Sequence, residues 1–235
     1  MKKGKVSQKE AQKVLDALVN KSGNEDINLL NPGTVKVRLK IGSLPGSSLI
    51  MCKISSESKE KLDNPQNPRK KVMINPEKEA LSKSHFIMSG KTRKFFFPTS
   101  GIYKAMLNLP QQVYDGQANV SKKMMKSIKI SGDFSADAME IKSSKVNVRK
   151  DVAITRMRSA VVTHRMEFHN WSSEFDVIFD KDVINLNQIT YLINQAGFYC
   201  GIGAWAPHCD GGGSHGMYIV PKQALNPIPV TYGTK

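Results

Sequence analysis

The sequence predicts an α+β fold with a ferredoxin-like βαββαβ core and a long insertion after the first strand. Three observations predict it. From Val35 to Ile41 aliphatic and charged residues alternate without a break, with Lys36, Arg38 and Lys40 on one face, the period-two signature of a half-buried strand. Between Leu186 and Ala196 the apolar residues Leu186, Ile189, Leu192, Ile193 and Ala196 recur at helical spacing instead. The segments then run strand, helix, strands, strand, helix, strand, the order of a βαββαβ unit.

Composition bounds the rest. The chain has 235 residues, 40% of them hydrophobic and 23% charged, which is globular rather than disordered composition. Thirty-five Lys and Arg oppose twenty Asp and Glu, a formal net charge of +15. An excess of that size points to a polyanionic partner, of which nucleic acid is the commonest. No apolar run reaches the roughly 18 residues that span a bilayer. Met1 to Lys5 is basic, but Ser7 to Lys13 is polar where a signal peptide carries its apolar region. No membrane partner is therefore expected, and the expected location is the cytoplasm. Cys52, Cys200 and Cys209 are odd in number and widely spaced, so a disulfide scaffold is not expected.

The elements follow in order. Ser7 and Glu10 have capping-box spacing ahead of Ala11, Val14, Leu15 and Leu18, a short opening helix that Gly23 would stop. After the Val35 strand, residues 43–94 read as an inserted loop or hairpin lobe, rich in turn residues and holding the basic run Arg69-Lys70-Lys71. A helix follows Pro98, capped by Thr99 or Ser100, with Ile102, Met106 and Leu109 on one face. Strands are expected at Ile128 to Ile130, Val146 to Ile154 and Ser173 to Phe179. The last helix is capped by Asn185 or Asn187 and should end at Gly197. Phe198 to Ala204 reads as a buried strand, and Met217 to Val220 as another after a glycine-rich loop. Residues 221–235 read as an extended tail.

Three features carry candidate chemistry. Lys145, Arg149, Lys150, Arg156, Arg158 and Arg165 oppose a single acid, Asp151, between residues 145 and 165. The guanidinium fork suits phosphate, although a solvated hairpin face is the default for any charge run. Lys91, Arg93 and Lys94 precede Phe95-Phe96-Phe97. Cations beside aromatic rings suit single strands, but at least two of those three rings are expected in the core. Gly201 and Gly203, with the loop Gly211 to Gly216, would allow a close approach of backbone or ligand. A merely flexible loop fits that stretch equally well. His208, Cys209, Asp210 and His215 lack the spacing of a zinc site, so no metal and no cofactor are expected.

These residues also carry a resemblance. Arg165 to Trp171, Gln195-Ala196-Gly197, Gly201-Ile202-Gly203-Ala204-Trp205-Ala206-Pro207 and Gly211 to Gly216 resemble the C-terminal part of a group of phage-encoded proteins. Phe97 to Ala105 looks like that group's first helix. The pattern is in turn similar to the RAMP superfamily, the backbone subunits that polymerise along guide RNA in CRISPR effectors. The resemblance covers about half the chain. It implies a modified RRM fold, a single RAMP-like domain over residues 1–235, single-stranded RNA or DNA as ligand, and head-to-tail self-association into a homo-oligomer or filament in a bacterial host cell. Ala206 and His215 stand where it leads one to expect arginine.

The resulting expectation is a protein that coats single strands cooperatively, RNA ahead of DNA, and is not an enzyme. Lys36, Arg38, Lys40, Lys91, Arg93, Lys94, Arg149, Lys150, Arg156, Arg158, Arg165, His208 and His215 are its candidate contacts. Two rival readings are a RAMP-type RNA endonuclease and an interaction protein that mimics a CRISPR backbone subunit. Some RAMP relatives cut RNA with a histidine base or a loop aspartate, for which His164, His169, His208, His215, Asp133 and Asp137 would be the candidates. Spacing pairs none of them with the partner that proton transfer requires.

Overall fold

The computed structural model describes residues 33–53, 75–115, 120–154, 160–209 and 212–221. The expected opening helix, Arg69 to Lys71, Arg156, Arg158 and the tail from residue 222 lie outside them. The elements in chain order are β1 (Thr34–Ser43), β2 (Leu49–Ile50), α1 (Pro76–Ser82), β3 (Phe86–Ser89), β4 (Thr92–Pro98), α2 (Ser100–Leu107) and α3 (Gln111–Asp115). After a 3₁₀ turn at Met124–Ser127 come β5 (Ile128–Gly132), β6 (Ala138–Ile141), β7 (Lys145–Ile154), β8 (Ala160–His169), β9 (Ser172–Asp180), α4 (Leu186–Tyr199) and β10 (Tyr218–Ile219). The class is α+β, with antiparallel strand pairing throughout. Among the described residues no helix is long and apolar enough to cross a membrane.

Three sheets share the molecule. The largest has the order β10-β1-β9-β5, the second β2-β8-β7 and the third β3-β4-β6. In the largest, the alternation in β1 sets the register. Val37 faces Val177 and Leu39 faces Phe175 across the β1–β9 ladder, so each apolar residue meets another on the same face. That face joins Ile128 and Ile130 of β5, Ile102, Ala105 and Met106 of α2, and Ile189, Leu192, Ile193 and Ala196 of α4 in one core. Each fully buried Leu, Ile or Phe contributes about 1.5–3 kcal/mol. Both helices thus lie on one side of the sheet, and Arg38 and Lys40 stand exposed on the other.

The described parts of the expected insertion, residues 43–53 and 75–94, are built into the body. β2 pairs with β8, Leu49 and Met51 belong to the core, and Ala80 of α1 is fully buried. Two expectations at the C-terminal end are corrected. Gly197 does not end the last helix, which continues to Tyr199. A Cβ at Gly197 would sit 2.0 Å from the Tyr218 carbonyl oxygen, so this glycine lets β10 pack against the helix. The stretch from Phe198 is accordingly no buried strand. Phe198 and Tyr199 are helical and exposed, and the chain then turns through Gly201 and Gly203 at positive φ.

Candidate nucleic-acid interface

The outward face of the four-stranded sheet is built by strand alternation. On β1 it carries Lys36, Arg38 and Lys40, on β5 Lys129 and Ser131, and on β9 Glu174, Asp176 and Ile178, which lie opposite Lys40, Arg38 and Lys36 in register. Reading β1 alone misses these acids, although placing Phe175, Val177 and Phe179 in the core already turns Glu174 and Asp176 outward. Arg38 donates from Nε to Asp176 Oδ1 at 2.7 Å and from Nη2 to Oδ2 at 3.2 Å. Lys36 Nζ lies 2.8 Å from the same Oδ2. Burial alone would raise the Asp176 pKa, but the hydrogen bonds from Arg38 and Lys36 win and hold it below the ordinary carboxylate value. The Arg38 pKa is raised in return, chiefly by its bond to Asp176.

The face therefore keeps a cation excess smaller than β1 suggests. Lys142, just after β6, reaches Glu174 at 3.6 Å. Lys40 and Lys129 are exposed and make no ion pair among the described residues. On its strands Lys36, Arg38, Lys40 and Lys129 stand against Glu174 and Asp176, with Lys142 at the margin beside the start of β9. Asp133 lies at one margin, close enough to raise the Arg38 pKa, and Asp180 lies at the end of β9.

The basic run between residues 145 and 165 is dispersed by its own hairpin. Lys145, Arg149 and Arg165 fall on one face of the β7–β8 ladder, and Lys150 falls on the other beside His164. The first face is an ion-paired network. Arg149 donates to Asp151 Oδ1 at 2.7 Å and to Glu167 Oε1 at 3.2 Å. Arg165 Nη1 is 3.5 Å from Asp151 Oδ2. Asp151 and Glu167 thus absorb two of the arginines that the sequence points toward phosphate. Burial opposes the charge of Arg149, but Asp151 and then Glu167 outweigh it and raise its pKa.

His215 belongs to this network as well. Arg149 Nη1 lies 3.2 Å from His215 Nε2, and since a guanidinium only donates, Nε2 accepts. Nδ1 then carries the proton and donates to Ser48 Oγ at 2.9 Å, which donates to Glu167 Oε1 at 2.6 Å. Burial first and the Arg149 charge second push the His215 pKa down, so the ring is neutral. His164 Nδ1, on the other face of the hairpin, is 2.7 Å from Glu79 Oε2, and Lys83 bonds to Glu79 and to Thr163, which register places on the Arg149 face.

The other expected contacts lie on elements other than the four strands of the sheet. Arg93 pairs with Glu77 at 2.7 Å and Lys94 lies 3.6 Å from Glu140, while Lys91 is exposed at the β3–β4 turn. His208 is exposed and bonds through Nδ1 to the Cys200 carbonyl at 2.5 Å. The glycine-rich loop turns its amides inward: Gly216 N donates to Ser48 O at 2.8 Å and Met217 N to Ser47 Oγ at 2.8 Å. A Cβ at Gly216 would sit 1.7 Å from Ile202 O. This glycine serves backbone packing.

No protein-family model matches the chain, and neither does any curated protein. Among solved structures it is similar to a chain in the cryo-EM structure of a type III-B Cmr-beta complex bound to cognate target RNA, with a TM-score of 0.39 and 12% identity over 93% of this chain and 67% of that one. It is also similar to Csc2 of Thermofilum pendens, with a TM-score of 0.32 and 7% identity over 78% of this chain and 66% of that one. The chain thus spans about two thirds of the length of each. Likenesses this slight leave the functional reading to the surface chemistry.

Proposed function

We propose that this chain binds single-stranded nucleic acid, RNA ahead of DNA, along the outward face of its four-stranded sheet, and that it holds the strand without cutting it. One observation carries the reading: among the described residues the sheet face turned away from both helices leaves Arg38, Lys40 and Lys129 exposed, and on its strands Lys36, Arg38, Lys40 and Lys129 outnumber Glu174 and Asp176. The charge of +15 over the whole chain supports it. Lys36 to Lys40 covers four strand steps, about 13 Å, room for successive phosphates of an extended strand. Contacts of this kind grip phosphate without reading bases, so affinity should depend on salt and little on sequence.

In this reading β1, α2, β5, β9, α4 and β10 form a modified RRM unit. Its support is the spatial order β10-β1-β9-β5, with antiparallel neighbours and a helix in each crossover. Head-to-tail coating as a homo-oligomer is part of the same proposal, supported by the RAMP-like motifs of the sequence and by a grip indifferent to bases. Photo-crosslinking of a bromouridine-substituted RNA, followed by peptide mapping, tests the location. Adducts should fall on β1, β5 and the chain around Lys142. Adducts confined to β7 and β8, or a strand returned as discrete cleavage products, would overturn the reading.

A further inference from the structure

The three consecutive phenylalanines divide their roles. Phe95 is buried and Phe97 packs against the core, so alternation along β4 turns Phe96 to the opposite face, together with Lys94. There Phe96 meets Phe134 of the β5–β6 turn in a parallel stack, with ring centroids 5.2 Å apart and planes 13° from each other. His85 sits at 5.4 Å from Phe96, tilted by 42°. Phe134 is 39% exposed, and because one of its faces lies against Phe96, the exposure comes from the rest of the ring.

Phe134 stands immediately before the tight turn that Ser135 and Ala138 close, with Ala138 N donating to Ser135 O at 3.1 Å. This turn is firmly held. Phe134 N donates to Ala138 O at 3.2 Å, Gly132 N to Ala136 O at 3.3 Å, and Glu140 N to Asp133 Oδ1 at 2.8 Å. Phe134 is thereby presented in a fixed place. Asp133, its neighbour, directly follows Gly132, which pairs with Phe175 of β9 beside the Ser131–Asp176 pair, so the turn stands at the end of the outward sheet face. Lys94, two residues before Phe96, lies 3.6 Å from Glu140 and remains half exposed. Pre-positioned rings beside cations are the arrangement that holds unpaired bases, because every base has a π face while duplexed bases have theirs covered.

We infer that Phe134, backed by Phe96, is a stacking platform for an unpaired nucleobase of the strand lying on the sheet. This rests on the function proposed above and adds a contact to the bases where the cations supply contacts to the phosphates. The test measures fluorescence anisotropy of a labelled oligouridine and of an abasic strand of the same length. The wild type should hold the oligouridine about tenfold more tightly than the abasic strand. Phe134→Leu keeps apolar bulk without the π face, so it should lose that preference while its affinity for the abasic strand stays unchanged. Phe134→Trp should keep the preference and show tryptophan quenching on binding beyond that of the wild type, whose two tryptophans are the buried Trp171 and the half-buried Trp205. If Phe134→Leu retains the full preference, the platform is wrong while strand binding stands. A wild type that holds neither strand overturns both.

Discussion

Asp176 governs how much of the sheet's charge a ligand can use, since it engages Lys36 and Arg38 together. Asp176→Asn should release both cations to phosphate, raise affinity for any single strand and steepen the dependence of log K on log salt by up to about 1.4. Anisotropy titrations at several salt concentrations measure this. A fall in affinity instead would mean that the carboxylate positions Arg38 for its ligand. His215 sets a second expectation, for stability. Its pKa is lowered on folding by burial and by Arg149, with Ser48, Glu167 and Asp151 also facing it. The unfolded chain therefore takes up the proton first, near pH 6.5. Stability from this group is complete above that pH and is lost as pH falls from it toward the lower folded value. His215→Gln should flatten the decline of the denaturant midpoint over that window. An unchanged decline would place the acid sensitivity elsewhere. Glu79, Glu167 and Asp176, all lowered on folding, add a separate loss below about pH 4.5, also as pH falls.

Single elements give sharper tests of the packing. Asn185 caps α4, accepting from Gln188 N at 2.9 Å while Gln188 Oε1 accepts from Asn185 N at 3.0 Å, and Asn185→Ala should cost about 1 kcal/mol. Gly216→Ala should cost more, about 3 kcal/mol, because φ there is +65° and the Ile202 carbonyl blocks the new methyl. Thermal or urea unfolding of the two variants measures both. If Gly216→Ala is the milder of the two, the loop does not pack closely against the Ile202 backbone. The elements readable in advance were those whose apolar residues recur at one period and face a single core, β1, β9, α2 and α4 among them. β8 was illegible because its charged residues read as a ligand patch, whereas Arg165 and Glu167 are taken up by partners on β7. The β3–β4 hairpin was hidden for another reason: one face of β4 carries Phe95 and Phe97 and the other Phe96, so aromatic residues on both sides erase the alternation. Gly201 and Gly203 were legible as positions open to close approach, with a flexible loop as the equal alternative. Which backbone approaches them depends on Gly216 and on β2, the latter distant in sequence.

At the scale of the molecule, one layer of helices covers one side of the main sheet and leaves the cationic side outward. The placement of Lys36, Arg38 and Lys40 on that open face was legible from alternation in β1. Their partial neutralisation was not, because it arises from β9, more than 130 residues away along the chain. The sequence pointed most strongly to residues 145–165, yet there the arginines seen in the structure are held in ion pairs. Within the sheet face Lys40 and Lys129 matter most, since among the described residues neither makes an ion pair with a carboxylate. The decisive measurement is the salt dependence of strand binding by the wild type, by a Lys40→Ala/Lys129→Ala variant and by a Lys145→Ala/Lys150→Ala control on β7. Two lost phosphate contacts should make the slope of the sheet variant shallower by about 1.4 and weaken its binding to every sequence alike, with the control unchanged. An unaltered slope in the sheet variant, or its loss in the control alone, would contradict the account.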